Sequence, residues 1–144
     1  MRDEAEHKAD SAAGEVGARR CRDADGVSWV KIEAVVIRER IEVVIDAVEE
    51  HAWHVGVTVV EAVGHGRQRG ITHEYRGRVF ESRFLPKALL VFVAPEDRMT
   101  AIVETIVDAA RSGNESGDGI CWTTPIANVM HNRTGSKLEE VEVA

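Results

Sequence analysis

The chain has 144 residues, 44% hydrophobic and 30% charged, with a formal net charge of −7. That length suits one domain with a real core, and the acidic total speaks against general nucleic-acid binding. No apolar run is long enough to span a bilayer, the first residues show no secretory pattern, and Cys21 and Cys121 lack metal-ligand spacing, so the expectation is a cytoplasmic protein with free thiols.

In residues 1–28 the only branched aliphatics are Val16 and Val27. So little apolar surface cannot offset the entropy of ordering, which predicts a flexible tail ahead of a domain over 29–144. Residues 29–37 (WVKIEAVVI) are β-rich and partly alternating, as in a strand with one buried face. Ile41, Val44, Ile45 and Val48 recur at helical spacing and predict a helix over 39–51. Residues 56–63 (GVTVVEAV) read as a second strand and 88–94 (ALLVFVA) as a third, apolar enough to be central. Pro95, Glu96 and Asp97 form a helix-start signal. Met99, Ile102, Val103, Ile106, Val107 and Ala110 mark one helix face, ending near Ser112 and Gly113. A short fourth strand is predicted over 119–124, then a helical turn over 125–130 and an acidic tail.

The order strand, helix, strand, long connection, strand, helix, strand is a doubled βαβ unit. Its usual solution is an α+β, ferredoxin-like sandwich: an antiparallel sheet with both helices on one face. The other face then needs a cover, and the Val and Ile on both faces of these strands point to subunit association.

The connection over 64–87 is anomalous. It holds four of the twelve glycines and six of the eighteen Lys and Arg but only two acids, a local charge of +4 in a chain whose remainder carries −11. Connections this long in a compact domain are usually functional or disordered. Two glycine-bearing segments, 64–70 (GHGRQRG) and 113–119 (GNESGDG), border strand ends. Glycines let backbone N–H groups approach an anion closely, and Arg67, Arg69, Lys87 and Arg133 are candidate charge partners. Two ordinary glycine turns beside a solvated basic loop would read the same way, because neither segment matches a Walker or dinucleotide fingerprint.

Six blocks in order carry a resemblance: Thr58-Val59-Val60-Glu61; Gly64-His65-Gly66-Arg67-Gln68-Arg69-Gly70; Glu74-Tyr75-Arg76-Gly77; Phe84-Leu85-Pro86-Lys87; Gly117-Asp118-Gly119; and Arg133-Thr134-Gly135. From residue 30 to about 140 the chain resembles the PII nitrogen-regulatory signal-transduction family. The resemblance implies a homotrimer with adenine nucleotides (ADP, AMP or ATP) in the clefts between subunits. It also implies that 64–87 is the T-loop, which changes shape with effector and docks on a target transporter or enzyme. By carry-over, Thr58 bonds the adenine, Gly64 and Gly66 bring backbone to the nucleotide, Arg67 and Arg133 contact phosphates, and Gly117, Asp118 and Gly119 line the cleft. Gln68 would help hold the magnesium that, with ATP, binds 2-oxoglutarate, and Lys87 would pair with that ligand's carboxylate. Tyr75, Arg76, Arg78 and Phe80 would form the docking tip.

The departures are as informative. Ile120 stands where the family carries a lysine, and His131 where it carries an arginine, so two phosphate-binding cations are replaced. The positions that other members modify covalently are Phe80 and Arg78 here, neither with a hydroxyl. These changes point to a divergent, PII-like member in nitrogen or bicarbonate metabolism that responds to ligand occupancy. No nucleophile or carboxylate pair suggests an enzyme. The alternative is a ferredoxin-like trimer without nucleotide sensing that binds metal, with His51 and His54 three residues apart as candidate ligands, or serves only as a scaffold.

Overall fold

The computed structural model describes residues 28–52, 56–66, 72–81, 84–113 and 117–138; residues 1–27, most of the expected tail, lie outside them, as do Arg67, Gln68 and His54. The elements are β1 (Trp29–Ile37), α1 (Ile41–His51), β2 (Val57–Gly64), β3 (Thr72–Tyr75), β4 (Arg78–Glu81), β5 (Leu85–Pro95), α2 (Met99–Ala110) and β6 (Cys121–Ile126). Short 3-10 turns, Arg38–Arg40 and Glu96–Arg98, lead into the two helices.

β2, β5, β1 and β6 form one antiparallel sheet in that order. Alternation decides which residues enter the core. Ile32, Ala34 and Val36 of β1 lie opposite Phe92, Leu90 and Ala88 of β5, and all are buried. Val44 and Val48 of α1 and Ile102 and Ile106 of α2 complete the same cluster, each four residues apart and so on one helix face. Burying side chains of this size stabilises the fold by roughly 1.5–3 kcal/mol each. The ferredoxin-like sandwich is thus as the sequence predicts, with β5 central.

The opposite sheet face carries Val35, Leu89, Val91 and Val93, all partly exposed, and one ion pair, Lys31 Nζ to Glu33 Oε1 at 2.5 Å. Both edge strands are more open: Val59, Val60 and Val63 of β2 and Trp122 of β6 are exposed.

Three expectations need correction. The 64–87 connection is not a plain loop, because β3 and β4 pair as a separate two-stranded sheet. Their turn is Arg76-Gly77, both at positive φ (52° and 74°), as a type I′ hairpin requires. β5 begins at Leu85, so Lys87 is a strand residue rather than the end of the loop. Pro125 and Ile126 extend β6 opposite Val30 and Trp29 instead of forming a helical turn. β6 is an edge strand, where a missing N–H is tolerated.

Candidate effector-binding site

The C-terminal end of β1 gathers one group of the expected site residues. On one side, Ile37 pairs with Lys87 of β5, and Lys87 with Ala62 of β2. Gly64 lies beside it: a Cβ there would come within 2.9 Å of the Lys87 Cγ, so glycine leaves room for the lysine stem. Lys87 is only 8% exposed, the one charged side chain among the buried residues described. On the other side of β1, the Val35 N–H donates to the Ile120 carbonyl at 2.8 Å. Gly119, at φ +94°, sits so close to β1 that a Cβ would lie 1.8 Å from the Val35 carbonyl oxygen. No side chain fits, which is the physical content of that glycine.

The link from α2 to this corner is held from within. The Ser112 hydroxyl donates to Asp118 Oδ1 and the Ser112 N–H to Oδ2 at 3.2 Å. The hydroxyl bond above all, then the N–H bond and the charges of Lys87 and Arg40, lower the Asp118 pKa against the opposing effect of desolvation. A depressed folded-state pKa contributes stability that is present above the ordinary aspartate pKa and lost as pH falls through the folded one. Carbon-detected NMR titration is expected to place the Asp118 midpoint below that of an ordinary aspartate. Ser112→Ala should move it back up.

Val35, Val107, Ala110, Arg111, Asp118, Gly119, Ile120 and Cys121 line an open cleft of about 130 Å³. Ligand pockets usually enclose roughly 300–1,000 Å³, so this cleft is smaller than a complete ligand pocket. Burial pushes the Cys121 thiol up, away from the thiolate that makes a cysteine reactive.

The remaining expected residues are elsewhere. Thr58, exposed on β2 opposite Val91, is six residues from Gly64, about 20 Å along an extended strand. His131 and Arg133 follow β6, which runs from Ala34 back to Trp29 and leaves the sheet at its other end. There a Met130–Lys137 bridge closes a hairpin, with the His131 N–H donating to the Ser136 carbonyl at 2.8 Å. Arg133 is exposed on its turn. The His131 Nδ1 is buried without a hydrogen-bond partner among the described residues. One chain therefore brings together Gly64, Lys87, Asp118 and Gly119 but keeps Thr58, His131 and Arg133 apart from them.

The legs of the 64–87 segment meet at its root, where the His65 and Phe84 rings lie 5.7 Å apart. At the tip Tyr75, Arg76 and Arg78 are exposed, with the Arg76 guanidinium 5.4 Å from the centre of the Tyr75 ring. Phe80 is in β4. No group of three His, Cys, Asp or Glu suited to a metal occurs among the described residues, and none of their helices is long and apolar enough to cross a membrane.

Sequence reasoning missed Arg40 and Ser112. Arg40 precedes α1, where the helix dipole disfavours a cation. That misplaced charge was the available signal. Its Nε and Nη2 donate to the Ala109 carbonyl at 3.1 and 2.6 Å, at the far end of α2.

An α+β sandwich with a separate hairpin between β2 and β5, and a small cleft lined in part by Gly119, defines the class of protein. A family model described as Nitrogen regulatory protein P-II matches residues 29–136. Over 105 residues the chain is 39% identical to Nitrogen regulatory protein P-II 2 of Methanothermobacter thermautotrophicus, covering 73% of this chain and 90% of that one. Over 110 residues it is 38% identical to the Nitrogen regulatory protein P-II of a Synechocystis species, covering 76% and 96%. The crystal structure of Arabidopsis thaliana PII bound to citrate superposes with a TM-score of 0.61 at 27% identity, over 81% of this chain and 94% of that one. The chain belongs to the nitrogen regulatory protein P-II family, whose members are signal-transduction regulators.

Proposed function

We propose that this chain acts as a homotrimer that binds adenine nucleotides between subunits and reports their presence to a target protein through the 64–87 loop. The observation that carries this reading is the division of the expected ligand contacts between two ends of one sheet. Gly64, Lys87 and Gly119 surround the end of β1, whereas His131 and Arg133 follow β6 at its other end. Contacts so separated meet on one ligand if neighbouring chains contribute complementary halves, and a cleft of about 130 Å³ is suited to be such a half. The unpartnered His131 Nδ1 and the partly exposed apolar sheet face support the same assembly.

The residues present fit a nucleotide of low charge. Gly119 and Gly64 allow close approach. Thr58, Arg133 and, outside the described residues, Arg67 would contact base and phosphates. Ile120, 69% exposed at the cleft, offers no cation, and an imidazole rather than a guanidinium stands at His131. ADP or AMP is accordingly the preferred ligand over ATP. Lys87 remains placed for the carboxylate of 2-oxoglutarate, and Gln68 would supply an amide oxygen to magnesium with ATP, a hard ligand for a hard cation. Bicarbonate is a second candidate effector.

Each effector would shift the loop toward the conformer it contacts better. The tip of Tyr75, Arg76, Arg78 and Phe80 would then engage or release a transporter or enzyme of nitrogen or bicarbonate metabolism. With no hydroxyl at position 78 or 80, occupancy of the cleft is the signal. Calorimetric titration with ADP, AMP and ATP is expected to give one site per chain, ATP being the weakest of the three. A folded trimer that binds none of them contradicts the proposal.

A further inference from the structure

The turn between β1 and α1 touches the roots of both glycine segments. Arg38 Nη2 lies 3.6 Å from Glu61 Oε1, three residues before Gly64, but this pair is exposed and contributes little. Arg40 is placed differently. Its guanidinium donates twice to the Ala109 carbonyl, 69 residues away, in a part-buried contact. That carbonyl belongs to the last turn of α2, whose carbonyls lack partners within the helix. The final bond of this end, Arg111 N–H to the Asp108 carbonyl, is long at 3.4 Å. Three contacts then hold the described residues on either side of 114–116: Ala109 to Arg40, Ser112 to Asp118, and Ile120 to the Val35 N–H.

We infer that Arg40 is a positioning residue for the effector cleft: it fixes the end of α2 and so sets where Ser112 holds Asp118 beside Gly119. The inference rests on the nucleotide reading above. A forked guanidinium suits the role because it reaches one carbonyl with two N–H groups and complements the negative end of the helix. A lysine supplies the charge without the fork.

The test is calorimetry with ADP on the full chain, beside thermal unfolding, for Arg40→Met, Arg40→Lys and Ser112→Ala. Arg40→Met is expected to weaken ADP binding about fivefold, the worth of a typical net hydrogen bond, and Arg40→Lys by less. A general structural role would change thermal stability and leave the affinity of the folded protein unmoved. Through shared positioning, Arg40→Lys combined with Ser112→Ala should lose less affinity than the product of the single losses. If the unaltered protein binds ADP and the folded Arg40 variants bind it equally well, the inference is overturned alone. If Arg40→Met does not fold, Arg40→Lys and its combination with Ser112→Ala decide the matter. If the unaltered protein binds no adenine nucleotide, the nucleotide reading falls and this inference with it.

Discussion

Gly119→Ala is expected to destabilise the chain by roughly 2–5 kcal/mol and to abolish ligand binding at the cleft. Two costs combine. The first is placing a Cβ on a residue at φ +94°, about 1–2 kcal/mol for an L-residue in left-handed conformation. The second is the clash with the Val35 carbonyl oxygen, 1.8 Å from the new Cβ. The obstructing atom is backbone in a paired central strand, so relief requires the 117–120 segment to lift away, at a further ~1–3 kcal/mol for overpacking. Lifting it breaks the Val35–Ile120 hydrogen bond and moves Asp118. Urea unfolding reads the stability change. A variant within ~0.5 kcal/mol of the unaltered chain would show that this corner is not as tightly closed as its geometry states.

Ile120→Lys is expected to raise ATP affinity by about tenfold or more and AMP affinity by less. Ile120 is held by its main-chain carbonyl while its side chain is 69% exposed at the cleft, so the exchange leaves the fold intact. A charge-assisted hydrogen bond to a phosphate is worth ~1.5–3 kcal/mol, and tenfold corresponds to 1.4 kcal/mol. Exposure to solvent favours the lower end of that range. The contrast should grow with phosphate number and shrink at high salt. Equal changes for ATP and AMP would mean that Ile120 does not face the phosphates.

Much of the fold was legible because it follows from local pattern. β1 occupies the residues its alternation marks, 29–37, and the apolar run after Pro86 is the central strand. The helical stripes of Val44, Val48, Ile102 and Ile106 are the buried ones. What escaped depends on partners distant in sequence or on competing signals. β3 and β4 were hidden by the glycine and charge content that made 64–87 look like a plain loop, and their ladder forms apart from the main sheet. The burial of Lys87 follows from its pairing with Ile37 and Ala62 on both sides, which no spacing rule reveals. Pro125 suggested a strand stop, yet an edge position admits it. The Arg40–Ala109 contact joins two helix ends that only the fold brings together.

The candidate site was legible as a set of residues but not as an arrangement. The glycines at 64 and 119 are explained by what stands next to them. That Thr58, His131 and Arg133 lie away from that corner is a consequence of strand direction, read from register. That separation is what the proposed assembly accounts for, each end of the sheet then supplying half of a site.

In the proposed function, the 64–87 loop turns occupancy of the cleft into a signal. Its root at Gly64 and Lys87 lies at the same end of β1 as the cleft, and its tip at Tyr75, Arg76 and Arg78 is exposed. Hydrogen–deuterium exchange of the folded protein, with and without saturating ADP, tests that link most directly. Slower exchange over 117–120 and an accompanying change over 64–87 are expected. Protection at 117–120 with no change anywhere in 64–87 would contradict that link.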